Sequence, residues 1–114
     1  MSNENSNPDL IPLNDNLDAN KPELLAAKLS LETAKIPWRE LEVHFARGVV
    51  RQVKKLDLPQ VGMELINNNT QQIEKWIASD KLGEVKPKAA NKWHKNDELV
   101  WALVVAPWVL VQEI

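Results

Sequence analysis

Apolar residues recur along this chain first at a helical period and later in nearly unbroken runs, and the change divides it into elements. From Asn20 the spacing is helical. Leu24, Ala27 or Lys28, and Leu31 fall on one stripe, Asn20 and Glu23 stand at capping-box spacing, and Pro22 suits a first helical turn, which predicts a helix to about Ala34. Pro37 stops it and opens a second helix, in which Trp38, Leu41 and Phe45 share one face and Gly48 stands where a left-handed exit residue belongs. Val49 to Leu56 is β-branched and basic and reads as a strand with one wet face. Asp57, with Gln60 three residues on, caps a third helix that carries Leu58, Val61 and Leu65. Asn67-Asn68-Asn69 is a turn, because Asn tolerates left-handed backbone geometry. Asn69 or Thr70 then caps a fourth helix, ending near Leu82-Gly83, whose Ile73, Trp76 and Ile77 are expected to face inward.

Beyond it, Glu84-Val85 reads as a short strand and Pro87 to Lys95 as one or two helical turns around Trp93. Leu99 to Val105 and Trp108 to Val111 are apolar at almost every position, separated by Ala106-Pro107. Periodicity alone does not separate helix from strand in such runs, but the valines and the proline favour two strands. The order predicts a small single α+β domain, its helices packed on a short, mostly antiparallel sheet. A winged-helix-like arrangement is one option, since Trp38 to Leu82 runs helix, strand, helix, turn, helix. Residues 1–19, rich in Asn, Asp, Ser and Pro and without periodicity, are expected to be a disordered acidic tail, with the domain spanning 20–114.

Several stretches together resemble one bacterial family. Thr33-Ala34-Lys35-Ile36-Pro37-Trp38-Arg39-Glu40-Leu41, Phe45-Ala46-Arg47-Gly48, Asn67-Asn68-Asn69-Thr70 with Trp76-Ile77, and Val104-Val105-Ala106-Pro107-Trp108-Val109-Leu110-Val111-Gln112 are similar to the family catalogued as domain of unknown function 2288. The resemblance covers about Leu24 to Gln112. It implies no activity, cofactor or catalytic residue, because none is assigned to that family, and it transfers no functional residue.

Charge and composition narrow the function classes. Of 16 acidic residues four lie in the first 20, where no Lys or Arg stands; this leaves 12 against 14 basic residues in the rest, a net of +2. That is weak for a nucleic-acid surface, and the predicted reading helix, Thr70 to Lys81, sets Glu74 and Asp80 against Lys75 and Lys81. Nucleic acid is therefore a disfavoured partner. The N-terminus lacks the basic and apolar regions of a secretory signal, and the longest apolar stretch, Leu99 to Val111, is 13 residues against the roughly 20 a membrane helix needs. No membrane association is expected. Cysteine is absent, which removes disulfides and thiolate chemistry and suits a reducing compartment, so a cytoplasmic location is expected.

Motif chemistry is sparse. With three glycines there is no phosphate-cradling loop and no nucleophile elbow, and the acidic residues form no evident acid/base couple. His44 and His94, with Glu40 or Asp97 nearby, do not have the spacing of a metal site, and no cofactor is expected. Two features remain as candidates. Trp108, Val109, Leu110 and Val111 are read as an apolar edge that pairs with a second subunit or an unknown protein partner, Pro107 being unable to donate to a ladder. Arg47, Arg51, Lys54 and Lys55 are read as an anion site or, failing that, as a charged strand edge. The leading expectation is a non-catalytic interaction module, homodimeric or docking on a partner protein; the alternative is a small-ligand-binding or catalytic protein with its site between the basic strand and His44.

Overall fold

The computed structural model describes residues 22–114. Along them run α1 (Pro22–Glu32), β1 (Ala34–Pro37), α2 (Trp38–Ala46), β2 (Val50–Val53), α3 (Leu58–Ile66), α4 (Thr70–Ala78), β3 (Leu82–Glu84), α5 (Pro87–Lys95), β4 (Leu99–Val105) and β5 (Trp108–Glu113). The expectations for the acidic tail and for Asn20 as a helix cap lie outside the described residues.

The strands form one five-stranded sheet in the order β1-β4-β5-β2-β3. The two apolar runs pair with each other as an antiparallel hairpin, Leu103 opposite Leu110 and Val105 opposite Trp108. Ala106-Pro107 is the turn between them, so the missing Pro107 N–H costs no ladder bond. β5 then pairs in parallel with β2, and β2 antiparallel with β3. On the other side β4 pairs antiparallel with β1. The result is the mostly antiparallel α+β domain that the element order predicts. It departs from the winged-helix option: α5 separates α4 from the hairpin, and the hairpin lies in the middle of the sheet.

Local signals are obeyed where they are strong. Asp57 accepts a hydrogen bond from the Gln60 N–H at 3.1 Å, and Gly48 and Asn68 take φ of 78° and 55° where the chain leaves α2 and α3. Two assignments change. Ala34 to Pro37 is an edge strand, too short to show alternation, and its Pro37 is tolerated because an edge needs no donor on its open side. In α1 the inward stripe is Leu25 and Leu29 in place of Leu24 and Leu31, which are 41% and 86% exposed.

Strand alternation sends side chains to two faces. On the first, Val50, Val100, Ala102, Val109 and Val111 are covered by Trp38 and Leu41 of α2 and Ala90 and Trp93 of α5. On the second, Val53, Leu103, Val105 and Leu110 meet Leu29 of α1 and Leu58 and Val61 of α3. Gly62 lets α3 sit this close: a Cβ there would stand 3.1 Å from Leu103 Cδ2 and 3.3 Å from Val105 Cγ2. α4 finishes this face incompletely. Ile73 and Trp76 pack against it half-buried, and no residue of α4 is buried.

Candidate functional site

The C-terminal candidate is placed differently from its expectation as an edge. β5 is paired on both sides, and Val109, Leu110 and Val111 are buried inside the domain by α2, α3 and α5. Their apolar character is explained by an interior strand covered on both faces. Trp108, at the start of β5, is the one of the four that reaches the surface, half-buried at the rim of the second face.

Around Trp108 lies a groove of about 410 Å³, walled by Leu65 of α3, Ile73 and Ile77 of α4, and Leu82 of β3. Arg51, Gly83 and Glu84 complete its lining. Arg51 stands opposite Leu110, two residues from Trp108 on the same face of the β5–β2 pair, and its guanidinium lies 4.5 Å over the indole ring. Its Nη1 also donates to the Val50 carbonyl at 2.9 Å, which holds the side chain across the strand. Glu84 is the direct antiparallel neighbour of Arg51, yet among the described residues neither enters an ion pair. Ile77 corrects its expected inward orientation. It is 55% exposed at the groove mouth, because α4 rests mainly on α3 and β3 and turns this part of its stripe outward.

The basic candidate divides between two sides. β2 is an interior strand, so its charges do not guard an edge. Arg51 points to the groove, while Arg47 ends α2 exposed and Lys55 is exposed at φ 62° just after the strand. Lys54 turns away from Arg51 and bonds Asp80 at 3.1 Å. That bond, reinforced by Lys86 at 3.7 Å, holds the Asp80 carboxyl below its ordinary value. Arg47, Arg51, Lys54 and Lys55 therefore do not form one anion site.

The histidines also lie apart. His94 Nδ1 is 2.7 Å from Glu42 Oε2 on the surface, Asp97 pairs with Arg39 at 3.1 Å, and His44 is half-buried on α2. Among the described residues no three His, Asp or Glu side chains gather in a way that would hold a metal ion. No helix among them is long and apolar enough to cross a membrane. Sequence periodicity picks out Trp108 and Ile77; it has no signal for Glu84 or Leu82, which reach the groove only through β3 pairing.

Comparison with known proteins places this arrangement. The family described as Protein of unknown function (DUF2288) matches residues 24–113, which takes in every strand and all but the first residues of α1. The chain belongs to the DUF2288 family. The solution NMR structure of PA1075 from Pseudomonas aeruginosa is similar to this DUF2288 chain, with 38% sequence identity and a TM-score of 0.69, covering 88% of this chain and 93% of that one. None of the curated proteins matches.

Proposed function

We propose that this DUF2288 protein is a non-catalytic interaction module that assembles as a two-fold homodimer through the Trp108 groove. The observation that carries the reading is the rim of that groove. An apolar floor of Leu65, Ile73, Ile77, Leu82 and Trp108 is flanked by one cation, Arg51, and one carboxylate, Glu84, that lie on neighbouring strands and are both unpaired among the described residues. A surface that carries both signs is complementary to itself: rotation by a two-fold axis sets each Arg51 against Glu84 of the second copy. β3 ends the sheet beside the groove, so its open edge lies within the same surface. The reading takes the cytoplasm as the working compartment, which a cysteine-free chain suits.

Sedimentation of the full chain at about 100 μM, well above the micromolar range of ordinary weak interfaces, is expected to give twice the monomer mass. Ile77→Glu touches no buried contact, Ile77 being 55% exposed, and is expected to give a monomer with unchanged circular dichroism. Trp108→Glu is expected to do the same with some loss of stability. A wild type that sediments as a monomer at this concentration ends the reading, and so does a dimer that Ile77→Glu leaves intact.

A further inference from the structure

The sheet's first face, opposite the Trp108 groove, carries a second cleft of about 450 Å³. Lys54 reaches it from the end of β2, Lys86 from the N-cap of α5, and Lys88 and Lys92 from successive turns of that helix. No 16-residue window of the sequence holds all four; β2 and α5 meet only through the sheet. Three carboxylates oppose these four cations: Asp80 beside Lys54 and Lys86, Glu113, which also lines the cleft, at 3.1 Å from Lys92, and Glu98, which acts on Lys92 from farther away. The cations still outnumber the carboxylates, and each of the ion pairs with Asp80 and Glu113 is solvent-exposed and therefore weakly held. Lys88 has no ion-pair partner among the described residues.

Two further features point to a ligand. Gln52 is the one buried polar residue of the described chain, 8% exposed, in the middle of a strand whose other inward positions are valine. Its side-chain amide has no hydrogen-bond partner among the described residues and is not sealed off from solvent; it lines the cleft floor. Its donor and acceptor therefore open into the cleft, where solvent or a bound ligand can bond them. The second feature is the start of α5. Lys86 gives no side-chain cap, Pro87 has no N–H, and the first intrahelical bond is from the Ala90 N–H to the Lys86 carbonyl at 3.1 Å. The N–H groups of Lys88 and Ala89 are left at a helix end that favours negative charge, and Ala89 lines the cleft.

We propose that this cleft is a binding site for a small, multiply charged phosphoryl anion. Lys54, Lys86, Lys88 and Lys92 supply the charge, and Gln52 and the first turn of α5 supply directed donors. Lysine ammonium groups suit phosphoryl oxygens as point charges, and the volume lies within the roughly 300–1,000 Å³ of small-ligand pockets. The site and the dimer surface are on opposite faces, so neither stands or falls with the other.

The test is a titration of the full chain with inorganic pyrophosphate at constant ionic strength, followed by amide-resolved NMR. Saturable shifts are expected at the Lys88 and Ala89 N–H groups and the Gln52 side-chain amide, with half-saturation below about 1 mM, the weak end of specific binding. Lys88→Ala with Lys92→Ala, both exposed positions, is expected to weaken binding at least tenfold. Gln52→Leu, which leaves the charge unchanged, is expected to weaken it at least threefold. Shifts that stay linear, that centre on other residues, or that survive both sets of substitutions overturn the site. Binding to anionic phosphatidylglycerol vesicles without binding to pyrophosphate overturns it as well, since a membrane surface would then be the partner.

Discussion

The two faces of the sheet solve the same packing problem to different degrees. On the first face Trp38 and Trp93 are fully buried, their rings 5.0 Å apart at 65°, and Phe45 closes on Trp38 at 5.4 Å. Edge-on packing of this kind fills space and adds attraction between the rings. The Trp93 indole N–H finds the Glu113 carboxylate at 3.1 Å, whereas that of Trp38 is buried with no partner among the described residues. On the second face Trp76, Trp101 and Trp108 are all half-buried, and two of them carry a cation over the ring, Lys35 on Trp101 at 5.2 Å and Arg51 on Trp108 at 4.5 Å. The same residue type thus anchors one core and rims the other. The difference traces to the cover. α2 and α5 close the first face over its tryptophans, while α4 leaves its own stripe partly in water.

The sharpest way to break this comparison is to remove a tryptophan from each side. Trp93→Ala is expected to cost about 3–5 kcal/mol, the range for deleting a large buried aromatic. Trp76→Ala is expected to cost about 1–2 kcal/mol, since only part of its surface leaves water. Denaturant titration of both variants decides the matter: equal costs would mean that α4 packs as tightly as α5.

Gly62→Ala probes how closely α3 approaches the second face. Alanine gains about 1 kcal/mol of helix propensity. Its methyl, however, would press on Leu103 at 3.1 Å, Val105 at 3.3 Å and Leu29 at 3.4 Å, all of them buried. Overpacking of a filled core costs about 1–3 kcal/mol, so a net destabilisation of about 1 kcal/mol is expected. A more stable variant would show that this side of the core has room to give.

Asp57→Ala removes the cap of the same helix and is expected to cost about 1 kcal/mol. Asp57→Asn, which keeps the acceptor, is expected to recover most of it. A loss that Asn does not recover would assign the effect to charge.

The smallest expected effect is one of pH. The Lys92 hydrogen bond, then that of Trp93, holds the Glu113 carboxyl below its ordinary value, and the same pair raises the Lys92 ammonium. The lowered carboxyl adds stability above its ordinary titration range and loses it as pH falls through the lowered value. The raised ammonium adds stability below its ordinary value and loses it as pH rises through the raised one. Glu113→Gln is therefore expected to flatten the acid limb of stability slightly, read from unfolding midpoints between about pH 3 and 7. An unchanged limb would mean that solvent screens the pair completely.

Much of this molecule is determined locally. The cap at Asp57, the left-handed exits at Gly48 and Asn68, the helical stripe of Trp38 and Leu41, and the valine-rich hairpin follow from interactions within a few residues, and all are legible in the chain alone. The family pattern rests on the same short stretches. What tertiary structure decided is everything that depends on which strands become neighbours. Val109 to Val111 look the same to local physics whether they form an exposed edge or a central strand; β2 pairing on their open side makes them core. Arg51 and Lys54 are three residues apart in sequence and serve opposite faces, because side chains alternate along a strand. Glu84 reaches Trp108, and Lys54 reaches Lys88 and Lys92, only across the sheet. Side-chain period and capping act over one turn of chain, whereas strand pairing is settled by the burial of the whole sheet, and both candidate sites of this protein are products of that second step.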